Sequence, residues 1–259
     1  MNTIELQKIA QCFESPFHVG NIDFERFDIK TLSIEEAYQV QQFVVEARVG
    51  RGERIVGYKV GCTSEAIRAQ FGLTEPIMGH LMMPHIHQTG VTLDWGHYCQ
   101  LAVEPEFVIC IGRDVTDEIG PSESVGEIID TVASGIELHH YQFRSPRPSI
   151  QELIASNGIH AGLILGEPKS VPENFDWNSK RLDLAKNGRS VVSGFGSSIM
   201  GGPMNSLRWL ANTLLQRGRM LRSGDLVIPG SPVELVTVDR GDNLSVSVEG
   251  VASVHASFV

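Results

Sequence analysis

Two carboxylates separated by one residue, Glu104-Pro105-Glu106, stand directly before the apolar run Phe107-Val108-Ile109-Cys110-Ile111. In an extended chain, positions i and i+2 face the same side, about 6–7 Å apart along the strand. Like charges that close on a half-buried surface are costly unless a cation lies between them. Pro105 offers no N–H to a ladder, so this stretch is expected at an edge or a bulge, where a cleft can open. Glu137, in Gly135-Ile136-Glu137-Leu138, is a third carboxylate between apolar neighbours and needs a partner. Three carboxylates without a thiolate suit a hard, octahedral divalent cation such as Mg2+ or Mn2+. A solvated strand end fits the Glu-Pro-Glu pattern equally well, and residue types alone leave both readings open.

Lys59 lies in Gly57-Tyr58-Lys59-Val60-Gly61. Its apolar flanks predict partial desolvation and a lowered pKa suited to proton transfer, although a lysine running its stem to solvent fits as well. His80, after Gly79, is a secondary candidate for proton transfer, with a structural histidine as the alternative. The segment Ser193 to Pro203 is a loop of small residues whose amides, at Gly194, Gly196 and Ser197, suit an anionic substrate. Gly194-x-Gly196 begins a dinucleotide fingerprint, but Ile199 stands at its third glycine and the helix starts only at Pro203, which excludes that site. Zinc is not expected from His85-x-His87 or His139-His140. No HExxH occurs, and adjacent strand residues point to opposite faces.

The chain that must position these groups has 259 residues, 21 Lys+Arg against 31 Asp+Glu, and 42% hydrophobic residues. This is a globular composition, neither disordered nor fibrous. Such a chain buries roughly three quarters of its unfolded surface and needs no metal to fold, so a metal would serve function. The net charge of −10 argues against a nucleic-acid partner. No apolar run approaches the ~18 residues of a membrane helix. The polar start, MNTIELQKIAQCFES, lacks a signal-peptide core, and the cytoplasm is the expected location. Cys12, Cys62, Cys99 and Cys110 form no CxxC and read as reduced, mostly buried thiols.

Hydrophobic periodicity predicts a helix over 3–14 and a second opened by the capping box Ser33-x-x-Glu36 and stopped near Gly50, with an irregular connection over 20–32. A strand over 55–61, a short helix from Ser64 to Phe71 ending at Gly72, and a strand within 101–112 follow. Ser124-x-x-Glu127 predicts a helix carrying Ile128 and Val132 that ends at Gly135, and then a strand over 135–143. Pro203 opens a helix with Leu207, Leu210, Ala211 and Leu214 on one face, closed by Gly218. In the tail, Leu244, Val246 and Val248 alternate, Glu249-Gly250 turns, and Val254, Ala256 and Phe258 return. The reading is an α+β fold with a mixed, mostly antiparallel sheet, divided into a helical region 1–52 and a β-rich core 53–259.

These motifs stand in a familiar order: Gly57-Tyr58-Lys59-Val60-Gly61-Cys62-Thr63, Pro76-Ile77-Met78-Gly79-His80-Leu81, Val103-Glu104-Pro105-Glu106-Phe107 and Glu137. Gly194 to Pro203, Trp209-Leu210-Ala211 and Ser223-Gly224-Asp225-Leu226-Val227-Ile228-Pro229-Gly230-Ser231 complete the set. From about residue 5 to the C-terminus the chain resembles the 2-keto-4-pentenoate hydratase and 4-oxalocrotonate decarboxylase group of the fumarylacetoacetate hydrolase superfamily. The resemblance implies a mixed β roll with a helical N-terminal region. It also implies Mg2+ or Mn2+ held by Glu104, Glu106 and Glu137, with Lys59 near the reacting carbons. A homo-oligomer, a decamer or smaller ring, is implied too, along with pairing with a related pathway enzyme. Departures from the group are Ile77 in place of an Asp, Tyr141-Gln142 in place of Ser-Arg, and Ser156-Asn157-Gly158-Ile159 in place of Asp-Asn-Ala-Ser.

The expected chemistry is chelation of a small 2-keto acid through its carboxylate and 2-oxo oxygen, stabilising an enolate while Lys59 moves a proton at the adjacent carbons. Hydratase-type lyase action in the degradation of aromatic or related ring compounds is the first expectation. Decarboxylation of a 4-oxalocrotonate-like dioate, C–C hydrolysis of a diketo acid, and a non-catalytic partner subunit are the alternatives.

Overall fold

A computed structural model describes residues 1–14, 29–143 and 148–259. The helices are α1 (Thr3–Glu14), α2 (Ile34–Gly50), α3 (Glu65–Phe71), α4 (Ile150–Ala155) and α5 (Pro203–Gln216). The strands are β1 (Arg54–Gly61), β2 (Ile77–Met83), β3 (Ile86–Gln88), β4 (Val91–Leu93), β5 (Leu101–Ile111), β6 (Ile129–His140), β7 (His160–Leu165) and β8 (Lys169–Ser170). They continue with β9 (Arg181–Lys186), β10 (Arg189–Phe195), β11 (Leu226–Ile228), β12 (Val236–Thr237), β13 (Asn243–Val248) and β14 (Val254–Phe258).

The larger sheet runs β2-β1-β11-β5-β6-β7-β3, with β12 beside β5 and β8 beside β6. Its two outermost strands, β2 and β3, are joined only by Pro84-His85. So short a link cannot span a flat sheet of seven strands about 4.8 Å apart. The sheet therefore curls until its edges nearly meet, and one face becomes the inside of a roll. Register then decides which residues face inward. Glu104, Glu106 and Val108 pair with Glu137, Gly135 and Ala133, and Lys59 pairs with Gly79 and Ile228. Glycines let neighbouring groups pack closely on this inner face. A Cβ on Gly135 would stand 2.5 Å from Val108 Cγ2, and one on Gly57 1.8 Å from the Leu226 carbonyl oxygen.

The convex face packs in two directions. Tyr58, Phe107, Ile109, Val132 and Val227 meet the apolar face of α5, at Leu207, Leu210, Ala211 and Leu214. Leu101, Val103, Ile136 and Leu138 meet the second sheet, β10-β9-β13-β14-β4, through Leu184, Leu244, Val246, Val254, Ala256 and Phe258. Helices α1, α2 and α4 share a third cluster with Ile77 and Ile159. There Gln41 Nε2 donates to the carbonyls of Met78 (3.0 Å) and Ile154 (2.8 Å), fastening α2 to the roll. Among the described residues no helix is long and apolar enough to cross a membrane.

Sequence expectation and structure agree on α1, on the Ser33–Glu36 capping box, on α3 with its left-handed Gly72 cap, on α5 and on the terminal hairpin. The helix expected after Ser124 is instead a short 3-10 turn, Val125–Ile128, whose N-cap side chain makes no capping bond. Thr131, Val132 and Gly135 belong to β6, because pairing with the eleven-residue β5 outweighs local helical spacing. The strand expected over 135–143 stops at His140. Of the connection expected over 20–32, Ile29–Thr31 is a 3-10 turn, and 20–28 lie outside the described residues. Pro105 sits inside a central strand rather than at the sheet's edge. It nevertheless falls in a gap, since β12 pairs with Ala102 and Val103 and β11 with Ile109 and Cys110, leaving 104–108 without a ladder on that side. The missing N–H therefore costs no hydrogen bond there.

Candidate active site

Lys59, Glu104, Glu106 and Glu137 all project into the roll. Glu137 is the hub. Its Oε1 lies 3.2 Å from Lys59 Nζ and 2.8 Å from His160 Nδ1. Its Oε2 lies 3.5 Å from His139 Nε2, which in turn stands 3.2 Å from Glu104 Oε2. Glu106, two residues further along β5, is fully buried, and its Oε2 accepts the Gly230 N–H at 3.2 Å.

For Lys59, Glu106, Glu137 and His160 burial is the largest single influence, and neighbours decide the outcome. Burial opposes the Lys59 ammonium, but Glu137, Glu104 and Glu106 together hold its pKa above the ordinary lysine value. This reverses the lowering expected from the sequence, because three carboxylates distant from Lys59 in the chain outweigh its desolvation. Burial pushes the Glu106 carboxyl well above the usual range, and Glu137 and Glu104 add to it. For Glu137, burial is overcome by Lys59, His139 and His160, which hold it below the usual carboxylate range. His160 is lowered, chiefly by burial.

Three donors, from Glu104, Glu137 and His139, lie within 4.8 Å of one another. Glu106 stands beside that group rather than in it, with its Oε1 buried and without a hydrogen bond. Both ring nitrogens of His139 and Nε2 of His160 are likewise buried and unbonded. Each such orphan costs about 1–3 kcal/mol unless something else meets it. A carboxylate-rich interior with unmet acceptors fits a divalent cation.

Lys59 is held by the turn after α4. Its Nζ donates to the Gly158 carbonyl at 3.3 Å. Asn157, Gly158 and Ile159 all have left-handed φ values, 60°, 66° and 54°. For a β-branched residue such as Ile159 that conformation is strained. The Asn157 side chain fixes the turn to β2, accepting from His80 N at 2.7 Å and donating to His80 O at 2.9 Å. Ile77 and Ile159 bring apolar surface to this end of the roll, and a Cβ on Gly61 would touch both Ile77 (3.2 Å) and Lys59 Nζ (3.6 Å).

His80 does not join the cluster. It pairs with Tyr58, one residue out of phase with Lys59, so its ring points to the convex face. There it lies 5.3 Å from the Tyr58 ring, with Nε2 2.8 Å from Arg219 Nη1, in the wall of a separate pocket of about 180 Å³. His80 therefore stands apart from the carboxylate cluster, in a packed and hydrogen-bonded setting. In the small-residue segment, the amides of Gly196 and Ser197 donate to the carbonyls of Lys180 and Asn178, both at 2.9 Å. Gly194 packs against Pro232 and Val233, on the segment that leads from Gly230. Sequence reasoning missed His139 and His160. His139 was legible through its spacing of two from Glu137, which puts both on one strand face. His160 is aligned with His139 only by the β6–β7 pairing.

A curled mixed sheet with buried carboxylates and an amine on its concave face defines the chain as a β roll with an interior polar site. Residues 80–259 match the family described as fumarylacetoacetate (FAA) hydrolase C-terminal, and the chain belongs to that family. It is 28% identical over 227 residues to 2-keto-4-pentenoate hydratase from Paraburkholderia xenovorans, covering 88% of this chain and 84% of the relative. It is 27% identical over 254 residues to 4-oxalocrotonate decarboxylase from a Pseudomonas species, covering 98% of each. The solved 4-oxalocrotonate decarboxylase from Pseudomonas putida G7, complexed with magnesium and adipate, superposes with a TM-score of 0.91 at 27% identity, covering 100% of this chain and 99% of that one.

Proposed function

We propose that this chain is a divalent-metal-dependent carbon–oxygen lyase that hydrates a small 2-keto (2-hydroxydienoate) acid in the degradation of aromatic or related ring compounds. The observation that carries the reading is the buried Lys59–Glu137 pair facing Glu104 and Glu106, in a chain similar along most of its length to 2-keto-4-pentenoate hydratase. Glu104, Glu106 and Glu137 are the residues we assign to hold Mg2+ or Mn2+. An ion held there would supply Lewis-acid chemistry that offsets charge developing on the substrate's 2-oxo oxygen. Lys59 holds and moves the proton at the adjacent carbons, its Nζ aimed by Glu137 and the Gly158 carbonyl. Ile77 and Ile159 flank Lys59's end of the roll with apolar surface, which excludes water and suits a hydrocarbon tail. Gly194, beside Pro232 and Val233, belongs to the wall that begins at Gly230.

End-to-end similarity to 4-oxalocrotonate decarboxylase, 98% of both chains, supports a second reading in which the same enolate chemistry expels CO2. Purified protein with Mg2+ or Mn2+ tests both. Loss of 2-keto-4-pentenoate with water addition supports the first reading, and CO2 release from 4-oxalocrotonate supports the second. Consumption of neither substrate, together with unchanged behaviour of Glu137→Gln, overturns both and leaves a non-catalytic subunit. We further infer a homo-oligomer in the cytoplasm that pairs with a related pathway enzyme, and a helical region 1–52 set against a catalytic core 53–259. Sedimentation, cell fractionation, co-purification and limited proteolysis test these in turn.

A further inference from the structure

We propose that His139 is a further metal ligand, and that its Nε2 turns an all-oxygen site into a mixed oxygen–nitrogen site that favours transition ions such as Co2+ and Fe2+ over Mg2+. The inference rests on the assignment of a divalent-ion site to Glu104, Glu106 and Glu137. His139 shares the inward face of β6 with Glu137, and the β6–β7 register shifts between Leu138 and His139. A local irregularity of that kind re-aims a side chain. The ring is 2% exposed, and neither nitrogen makes a hydrogen bond, although Nε2 stands 3.2 Å from Glu104 Oε2 and 3.5 Å from Glu137 Oε2. The contacts have the separation of neighbouring ligands without the angles of hydrogen bonds. Adjacent ligands in an octahedral shell with bonds of about 2.0–2.3 Å stand roughly 2.8–3.3 Å apart, a range that holds the Glu104 contact and ends just short of the Glu137 one.

The hub carboxylate is oriented for this role. His160 Nδ1 and Lys59 Nζ take Glu137 Oε1, so Oε2 is the oxygen turned towards His139. Glu104, Glu137 and His139 each offer a donor atom within 4.8 Å of the other two, and Glu106 Oε1 is buried without a hydrogen bond. Imidazole ligates Fe, Co, Ni and Zn far more readily than Mg, which prefers carboxylate, carbonyl and water. A buried imidazole is therefore wasted on Mg2+ and useful to a transition ion.

The test loads metal-free, full-length protein with Mn2+ and reads electron spin echo modulation, then measures Co2+ and Mg2+ affinities by calorimetry. Wild-type protein is expected to show 14N coupling that changes to the 15N pattern when histidine is 15N-labelled. His139→Gln is expected to lose that coupling, and its Co2+/Mg2+ affinity ratio is expected to fall about tenfold, the scale on which single changes around a metal act. Wild-type protein that binds Mn2+ without nitrogen coupling overturns the proposal with no variant needed. Coupling or an affinity ratio that survives in His139→Gln and His139→Leu overturns it too, leaving His139 an ion-pair partner of the two glutamates. Loss of binding in Glu137→Gln alongside those results shows that only the nitrogen ligand has failed. Unchanged Mn2+ binding in both Glu104→Gln and Glu137→Gln fells the metal site itself.

Discussion

Lys59 Nζ and Glu137 Oε1 lie 3.2 Å apart although β11 and β5 separate their strands in the sheet order. Three strand spacings in a flat sheet amount to roughly 14 Å, so the ion pair exists only because the sheet is rolled. The pair reports the fold and the site together. Replacing Lys59 by Met keeps the buried stem and removes the amine. Turnover is expected to fall about 10²–10⁴-fold, the contribution of a positioned acid–base group, while metal still binds. Parallel measurement of kcat and metal content checks this. Unaltered kcat would remove Lys59 from the reaction.

Metal addition should raise the melting temperature of the wild-type protein. A ligand that binds only the folded state stabilises it by about 2.7 kcal/mol at a hundred times its Kd. Glu106→Gln relieves the repulsion from Glu137 and Glu104 that raises the Glu106 pKa, so the metal-free variant should melt no lower than metal-free wild type. It should lose most of the metal-induced rise. Thermal melts with and without Mg2+ or Mn2+ decide the matter, and a full metal-induced rise in Glu106→Gln contradicts the assignment of that carboxylate.

Much of the site was legible because strand periodicity is short. The i, i+2 rule put Glu104 and Glu106 on one face, and the amphipathic patterns located α1, α2, α5 and the terminal hairpin. What escaped depended on partners distant in sequence. Whether Ser124-x-x-Glu127 begins a helix was decided by β5, which draws Ile129 onward into a strand. The direction of the Lys59 shift was decided by carboxylates from two other strands. That the His80 ring faces away from Lys59 depends on the β1–β2 register, which sets residues of opposite phase on opposite faces. The availability of the Gly196 and Ser197 amides depended on Lys180 and Asn178, which no local pattern connects to that loop.

Gly158→Ala separates positioning from folding. Gly158 has φ +66°, and an added Cβ would stand 3.0 Å from Lys59 Nζ. A left-handed alanine costs about 1–2 kcal/mol, a modest loss for a chain of this size. Displacement of the amine from the reacting carbons should cost far more in rate, since a misplacement of about 1 Å can cost 10²-fold. The expected outcome is a small drop in melting temperature with a large drop in kcat. Equal, small changes in both would show that the turn does not aim Lys59.

The buried histidines make stability fall as the solution is acidified. His80 is 2% exposed, and burial, reinforced by Arg219, lowers its pKa to about 3. Because Arg219 donates to Nε2, the folded ring is a neutral acceptor. In the unfolded chain the same ring titrates near pH 6.5, so below that pH the unfolded state holds a proton the folded state refuses. His80 therefore contributes stability that is whole above about pH 6.5 and is lost as the pH falls towards 3, at about 1.4 kcal/mol per pH unit once the unfolded ring is charged. His140, lowered to about 3 chiefly by burial, acts in the same direction, whereas Glu106, with its raised pKa, acts against it. Comparison with His80→Gln, which keeps an acceptor for Arg219, isolates the His80 share. Urea unfolding of metal-free protein at a series of pH values from about 7 to 4.5 should give a curve that is flatter for the variant by nearly one proton. Parallel curves for the two proteins would mean that the His80 ring takes up its proton in the folded state as readily as in the unfolded one.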